Sequence, residues 1–213
     1  MAELVNFALL SFASFFTILN PIGVMPVFMT MTAELDRAAK TRTARKAALT
    51  SFITMVIFAF TGKFLFQFFN ISADSFRIVG GIIFFSMGYE MLQARLSRMK
   101  VSEEDVKQYV TDISITPLAI PMICGPGAIT NSIVLMESAA TLEKKAVLLA
   151  VMAFVNLLVF VILWGSAGIS KALGNTGNKI LMRLMGLIVM VIAVEFFISG
   201  LRPILQNIFQ IKQ

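Results

Sequence analysis

The 213 residues are 58% hydrophobic and only 14% charged, with a mean hydropathy of +0.86. A soluble domain carries about 25% charge, so this composition excludes a water-soluble globule and points to an integral membrane protein. The net charge of +6 sits in short stretches between apolar runs, a topology signal rather than a nucleic-acid footprint. The single cysteine, Cys124, excludes an internal disulfide, and the absence of histidine removes the commonest general base and metal ligand.

Six apolar spans are about the most this length allows, at roughly 20 residues per crossing plus loops. The first is predicted over about 4–31, after a start (Met1-Ala2-Glu3) that lacks the basic region of a cleaved signal peptide. It is interrupted at Asn20-Pro21-Ile22-Gly23. The second covers about 47–69 and contains Lys63; the third covers about 75–92. A polar stretch, 94–112, with Arg95, Arg98, Lys100, Glu103, Glu104, Asp105 and Lys107, separates a first unit (1–93) from a second (113–213). The fourth span, about 115–136, holds Pro117 and Pro121 and is interrupted at Gly125-Pro126-Gly127-Ala128. The fifth, about 146–169, has no charge, and the sixth runs over about 180–201.

The two units read as copies. Arg77 follows Pro21 by 56 residues (77 − 21), and Arg183 follows Pro126 by 57 (183 − 126). Each arginine has a glycine three residues on, Gly80 and Gly186. A three-span unit repeated once enters the membrane in opposite senses, because three is odd. The expected architecture is therefore all-α, with six transmembrane helices as two inverted three-helix repeats and helices one and four broken. Arg37, Lys40, Arg42, Arg45, Lys46, Arg95, Arg98, Lys100, Lys107, Lys171 and Lys179 fall in loops on one side. Lys144, Lys145, Arg202 and Lys212 fall on the other. The rich side is predicted to be cytoplasmic, with both termini outside.

The paired breaks carry the functional reading. Proline removes a backbone donor, and in hydrocarbon the freed groups must face protein or a watery cavity. Matching interruptions in two halves point to a transporter's binding site. Asn20 is a favoured N-cap and Pro21 suits the first helical position. Free N–H groups are expected near Ile22, Gly23 and Val24, and again near Gly127, Ala128 and Ile129. Such half-helix starts bind a carboxylate, while preceding carbonyls suit an ammonium. Gly23 and Gly127 leave room only for a small side chain. The predicted substrate site is thus Asn20, Pro21, Gly23, Gly125, Pro126, Gly127, Ala128, Thr130 and Asn131. A bland alternative is a pair of packing kinks. Ser11, Ser14 and Thr17 read as helix–helix hydrogen-bonding groups, and Asn156 either supports the site or glues helices. Glu195 is a candidate carrier of a coupling proton, although it lies near a span end, as does Lys63. Arg77 and Arg183 read as interface anchors or salt-bridge partners. With no histidine and no aspartate pair in the spans, an intramembrane enzyme is not expected, and no cofactor, metal or catalytic residue is assigned.

Taken together, Asn20-Pro21-Ile22-Gly23, the basic stretch, Arg77-Ile78-Val79-Gly80-Gly81 and Pro126-Gly127-Ala128-Ile129-Thr130 resemble the MarC/SnatA family of prokaryotic membrane proteins. The resemblance spans about 7–201 and implies membership of the grouping of LysE-type exporters. It further implies a cytoplasmic (inner) membrane protein moving small neutral amino acids, glycine and alanine above all, driven by a proton or sodium gradient. The resulting expectation is a secondary transporter working by alternating access. Alternatives left open are an exporter of another small metabolite or drug, and a non-transporting structural subunit of a membrane complex. The expected partners are the small substrate, the lipid bilayer, a coupling ion and further copies in a homo-oligomer, and not nucleic acid.

Overall fold

The computed structural model describes residues 2–33, 35–93 and 106–209, without side chains at 106, 107, 167, 169–173, 175 and 178. Arg95, Arg98, Lys100, Glu103, Glu104, Asp105 and Lys212, and the side chains of Lys107 and Lys171, lie outside the described residues.

The described chain is helical: α1 (Ala2–Leu19), α2 (Pro21–Met31), α3 (Arg37–Phe68), α4 (Ala73–Leu92), α5 (Val106–Ile113), α6 (Pro126–Ser138) and α7 (Leu142–Phe209). Caps explain several starts. Asp36 accepts a hydrogen bond from Ala39 N–H at 2.6 Å ahead of α3. Ser72 accepts from Ser75 N–H at 3.0 Å ahead of α4, and Thr141 from Lys144 N–H at 3.2 Å ahead of α7. Five helical stretches are long and apolar enough to cross a membrane, and six if Gln108–Ile123 and Pro126–Ser138, bent by 61°, form one span.

Three expected boundaries change. The basic stretch before span two is helix, because the Asp36 cap starts α3 at Arg37. At 1.5 Å per residue its 32 residues reach about 48 Å, longer than the roughly 30 Å hydrocarbon core, so the basic first turns project beyond it. No loop of several residues joins spans five and six. The two helical halves of α7 meet at one non-helical residue, Gly174, whose φ of 64° suits glycine. Span four is not a plain helix. Thr116 and Ile120, each preceding a proline, are extended (φ −129° and −130°), as the proline ring demands of its predecessor. The segment Ser114–Ile123 is consequently irregular, and Cys124 N–H reaches back five residues to Ala119 O at 2.8 Å.

The two helices that follow the interruptions sit in the core, packed with Ala47 and Met55 of α3 and Leu148, Met152 and Val159 of α7. From Gly23 to Met29 every residue of α2 is buried, and α6 buries Pro126 to Thr130 without a gap. A helix apolar all round belongs inside a bundle. Long helices surround this centre and present Phe64, Phe68, Ile82, Leu187 and Val191 outward, as lipid-facing surfaces do. The second half of α7 runs antiparallel to α4 at near backbone contact. A β-carbon added at Gly88 would lie 2.8 Å from Gly186 O, and one at Gly81 2.7 Å from Ala193 O. Small residues allow such approach where apolar burial gives no drive.

One end of the bundle carries the basic turns of α3. Tyr109 Oη donates to Met31 O there (2.9 Å), and Lys46 donates to Thr111 (2.8 Å). The opposite end carries ion pairs between Glu3 and Lys144 (2.6 Å), Lys63 and Glu137 (3.0 Å), and Asp74 and Arg77 (3.1 Å). The start of α1 lies at this opposite end, beside Lys144.

Candidate functional site

The first interruption is a single residue. Asn20 adopts a left-handed conformation (φ 42°, ψ 61°), which asparagine tolerates better than most residues. This turns the chain without stopping it, and α1 and α2 continue as one 30-residue span. The Asn20 side chain accepts from Gly23 N–H at 3.2 Å, and its carbonyl takes Gly23 N–H at 2.9 Å and Val24 N–H at 3.1 Å. The expected free N–H groups at Gly23 and Val24 are therefore absent: Asn20 itself occupies them. The space a Gly23 side chain would fill is likewise taken by the Asn20 amide.

The second interruption is unlike the first. Gly125 is extended (φ −82°, ψ 178°) and offers no side-chain cap. Ile129 N–H is satisfied by Gly125 O at 3.0 Å, which removes it from the expected donor set. Gly127 and Ala128 N–H find no partner among the described residues, as at any uncapped helix start. All of Gly125, Pro126, Gly127, Ala128 and Thr130 are buried, so these donors lie in the interior. Gly127 does not border empty space, because a β-carbon there would stand 2.5 Å from the Phe196 ring.

Two rings bring the interruptions together. Phe84 lies against Gly125, where an added β-carbon would be 2.5 Å from its Cζ. Phe84 also walls a small cavity beside Asn20, Gly23, Val24 and Met122. Phe196 covers Gly127, and the centroids of Phe84 and Phe196 are 5.9 Å apart. The cavity at Asn20 and Gly23 holds about 30 Å³, room for water but not for an amino acid. Neither ring is visible as a site residue in the sequence, because phenylalanine at helical spacing in an apolar span reads as core.

Polar groups unsatisfied by the protein gather on α1 and α6. Thr130 Oγ1, Asn131 Nδ2 and Ser11 Oγ are buried without a hydrogen-bond partner among the described residues. Asn131 Oδ1 accepts from Ser14 Oγ at 2.9 Å, linking α6 to α1, and Ser11 lies one helical turn before Ser14. A buried polar group left unpaired costs about 1–3 kcal/mol. Orphans are therefore rare in a merely structural interior. Thr17, by contrast, is exposed.

Asn156 accepts from Ser51 Oγ at 3.0 Å and donates to Met152 O at 2.9 Å, a satisfied bond between helices rather than a site group. Glu195 is exposed on the surface of the bundle with no polar partner among the described residues, although its neighbour Phe196 reaches Gly127. Lys63 is paired with Glu137, and Arg77 with Asp74. Arg183 is exposed.

The family model for MarC family integral membrane proteins matches residues 5–205. The chain belongs to the MarC family. Relatives of this MarC family member occur in archaea and bacteria. It is 38% identical to a UPF0056 membrane protein of Pyrococcus horikoshii, over 95% of this chain and 98% of the relative. It is 37% identical to the UPF0056 membrane protein YvbG of Bacillus subtilis, over 90% and 92% of the two chains. For YhcE of Escherichia coli the identity is 31%, over 91% of each chain. No solved structure matches the chain. The protein is thus a multi-pass integral membrane protein, as its composition requires.

Proposed function

We propose that this MarC family protein is a secondary transporter of small neutral amino acids, of the glycine and alanine type, working by alternating access. The observation that carries the reading is the donor set at the start of α6. Gly127 and Ala128 N–H and the orphan groups of Thr130 and Asn131 lie in the interior and have no partner among the described residues. Hydrogen-bond donors at a half-helix start suit a carboxylate. The adjacent 30 Å³ space excludes a guest as it stands, so transport requires Phe84 and Phe196 to move. An inverted pair of three-helix repeats accounts for the antiparallel contact of α4 with the second half of α7 and for the central place of α2 and α6. In this reading the protein sits in the cytoplasmic membrane with both termini outside, uses a proton or sodium gradient and carries out no enzymatic step. Glu195 has no support as proton carrier beyond its ionisable side chain.

Purified protein in proteoliposomes should show saturable flux of glycine or alanine, poorly inhibited by lysine, glutamate or tryptophan. Both amino acids should raise its melting temperature. Absence of flux together with absence of stabilisation rejects the reading. Stabilisation by a drug cation instead keeps a transporter but rejects carboxylate binding, leaving the exporter alternative. Orientation has its own test: a reporter fused after Gln213 should be active only outside the cytoplasm, and cytoplasmic fluorescence would invert every loop.

A further inference from the structure

At the end of the bundle opposite the basic turns lies a cavity of about 410 Å³ between the C-terminal part of α3, the start of α4 and one face of α6. Between apolar residues such as Phe66, Ile71 and Ile133, its walls carry Lys63, Gln67, Asn70, Ser72, Thr130 and Glu137. Two features set it apart from a crevice between helices. Lys63 Nζ and Glu137 Oε1 meet at 3.0 Å in its wall, with side chains 64% and 46% exposed. Thr130, 2% exposed, lines the same cavity, and its buried hydroxyl has no partner among the described residues. Thr130 and Glu137 are seven residues apart on α6 (137 − 130), hence on one face of that helix.

We propose that this cavity is a second binding site, an outer vestibule that captures a zwitterion by exchanging the Lys63–Glu137 pair. The proposal rests on the small-amino-acid reading above. The carboxylate of the guest pairs with the Lys63 ammonium, and its ammonium pairs with the Glu137 carboxylate. A pair this exposed contributes little to stability, so opening it costs little. A guest with both charges leaves both members satisfied, whereas a carboxylate or an amine alone leaves one unpaired, which gives selectivity by penalty. Thr130 then offers the first donor on the way from the vestibule to the free N–H groups of Ala128 and Gly127, about one turn further into the bundle.

Thiol labelling tests this. Cys124, the single natural cysteine, is buried, so Gln67→Cys places one accessible thiol in the cavity wall. In proteoliposomes, saturating alanine should slow maleimide labelling several-fold, while propionate or ethylamine should not. Adding Lys63→Gln or Glu137→Gln should weaken the protection by alanine on the order of ten-fold. Both variants should keep thermal stabilisation by alanine through the donors of α6. The double reversal Lys63→Glu with Glu137→Lys should restore protection. Unchanged labelling in the presence of alanine that demonstrably stabilises the protein overturns the vestibule, as does protection surviving both neutralisations. Loss of protection and stabilisation together overturns it in favour of one shared site. Protein that neither binds nor moves alanine rejects the underlying transporter reading, and the vestibule with it.

Discussion

At Asn20 the chain closes its own interruption. One left-handed residue supplies backbone and side-chain acceptors to the next turn, the helix carries on, and of the first N–H groups of α2 only that of Ile22 has no acceptor among the described residues. At Gly125 the interruption stays open: a 61° bend, a glycine with no capping side chain, then two N–H groups and polar atoms of Thr130 and Asn131 that have no partner among the described residues. Sequence symmetry between Pro21 and Pro126 therefore does not mean equal chemistry. What decides the difference is the residue before the proline, because asparagine is both side-chain cap and left-handed turn, whereas Gly125 is extended and offers only its carbonyl, to Ile129 N–H. Ligand binding should accordingly lean on the second interruption and stability on the first.

The largest effect is expected from Gly127→Val. Its methyl groups would collide with Phe196, so the variant should lose all transport and also about 1–3 kcal/mol of stability. Adding Phe196→Ala should recover part of the melting temperature. The room for a small side chain expected beside Gly127 is taken by the Phe196 ring, which is why a loss of stability accompanies the loss of transport. Full stability of Gly127→Val would show that Phe196 moves aside freely.

Thr130→Val comes next. It keeps the shape and deletes a hydroxyl that no described group satisfies. Melting should be unchanged or higher, while alanine affinity should fall about ten-fold or more. A fall in stability with intact affinity would make Thr130 structural and remove the contrast between the interruptions.

Smaller changes belong to Asn20. Asn20→Ala should cost about 1 kcal/mol through the lost cap, and Asn20→Gly only a few tenths, because glycine keeps the left-handed turn. Gly23→Ala pushes the Asn20 amide out of its cap position, so it should cost about as much as Asn20→Ala. Combined with Asn20→Ala it should add little, since both delete one hydrogen bond. Additive losses in thermal melts would mean that the 3.2 Å bond contributes nothing.

Much of the architecture was legible because hydropathy writes it in blocks. The apolar spans, the interruption before Pro21 and the one before Pro126 follow from composition and proline chemistry alone. The start of α3 was hidden because lysine and arginine are good helix formers that also mark loops, and only the Asp36 cap decides between the two. The irregular stretch through Pro117 and Pro121 was marked by its prolines, but the extended backbone at Thr116 and Ile120 emerges only from the rule for residues before proline, applied twice. Among the candidate site residues, Asn131 and Thr130 could be named from their distance to Pro126, and both carry a buried polar atom with no partner among the described residues. The partners Ser14, Phe84 and Phe196 could not, since they come from helices remote in sequence and look like any serine or phenylalanine in a span. The Ser51–Asn156 bond is invisible for the same reason.

The glycine contacts between α4 and the end of α7 have a mechanical consequence. Gly81, Gly88, Gly186 and Gly200 put main chain against main chain or against the first carbon of a side chain. A seam of this kind has almost no rotamers with which to absorb a small shift. Whatever displaces Arg77 and Asp74 at one end of the seam is handed on nearly undiminished to Met91 and Leu92 at the other. Phe84 and Phe196 are mounted on these same two helices, so the rings that plug the interior ride on a stiff lever rather than on independent hinges.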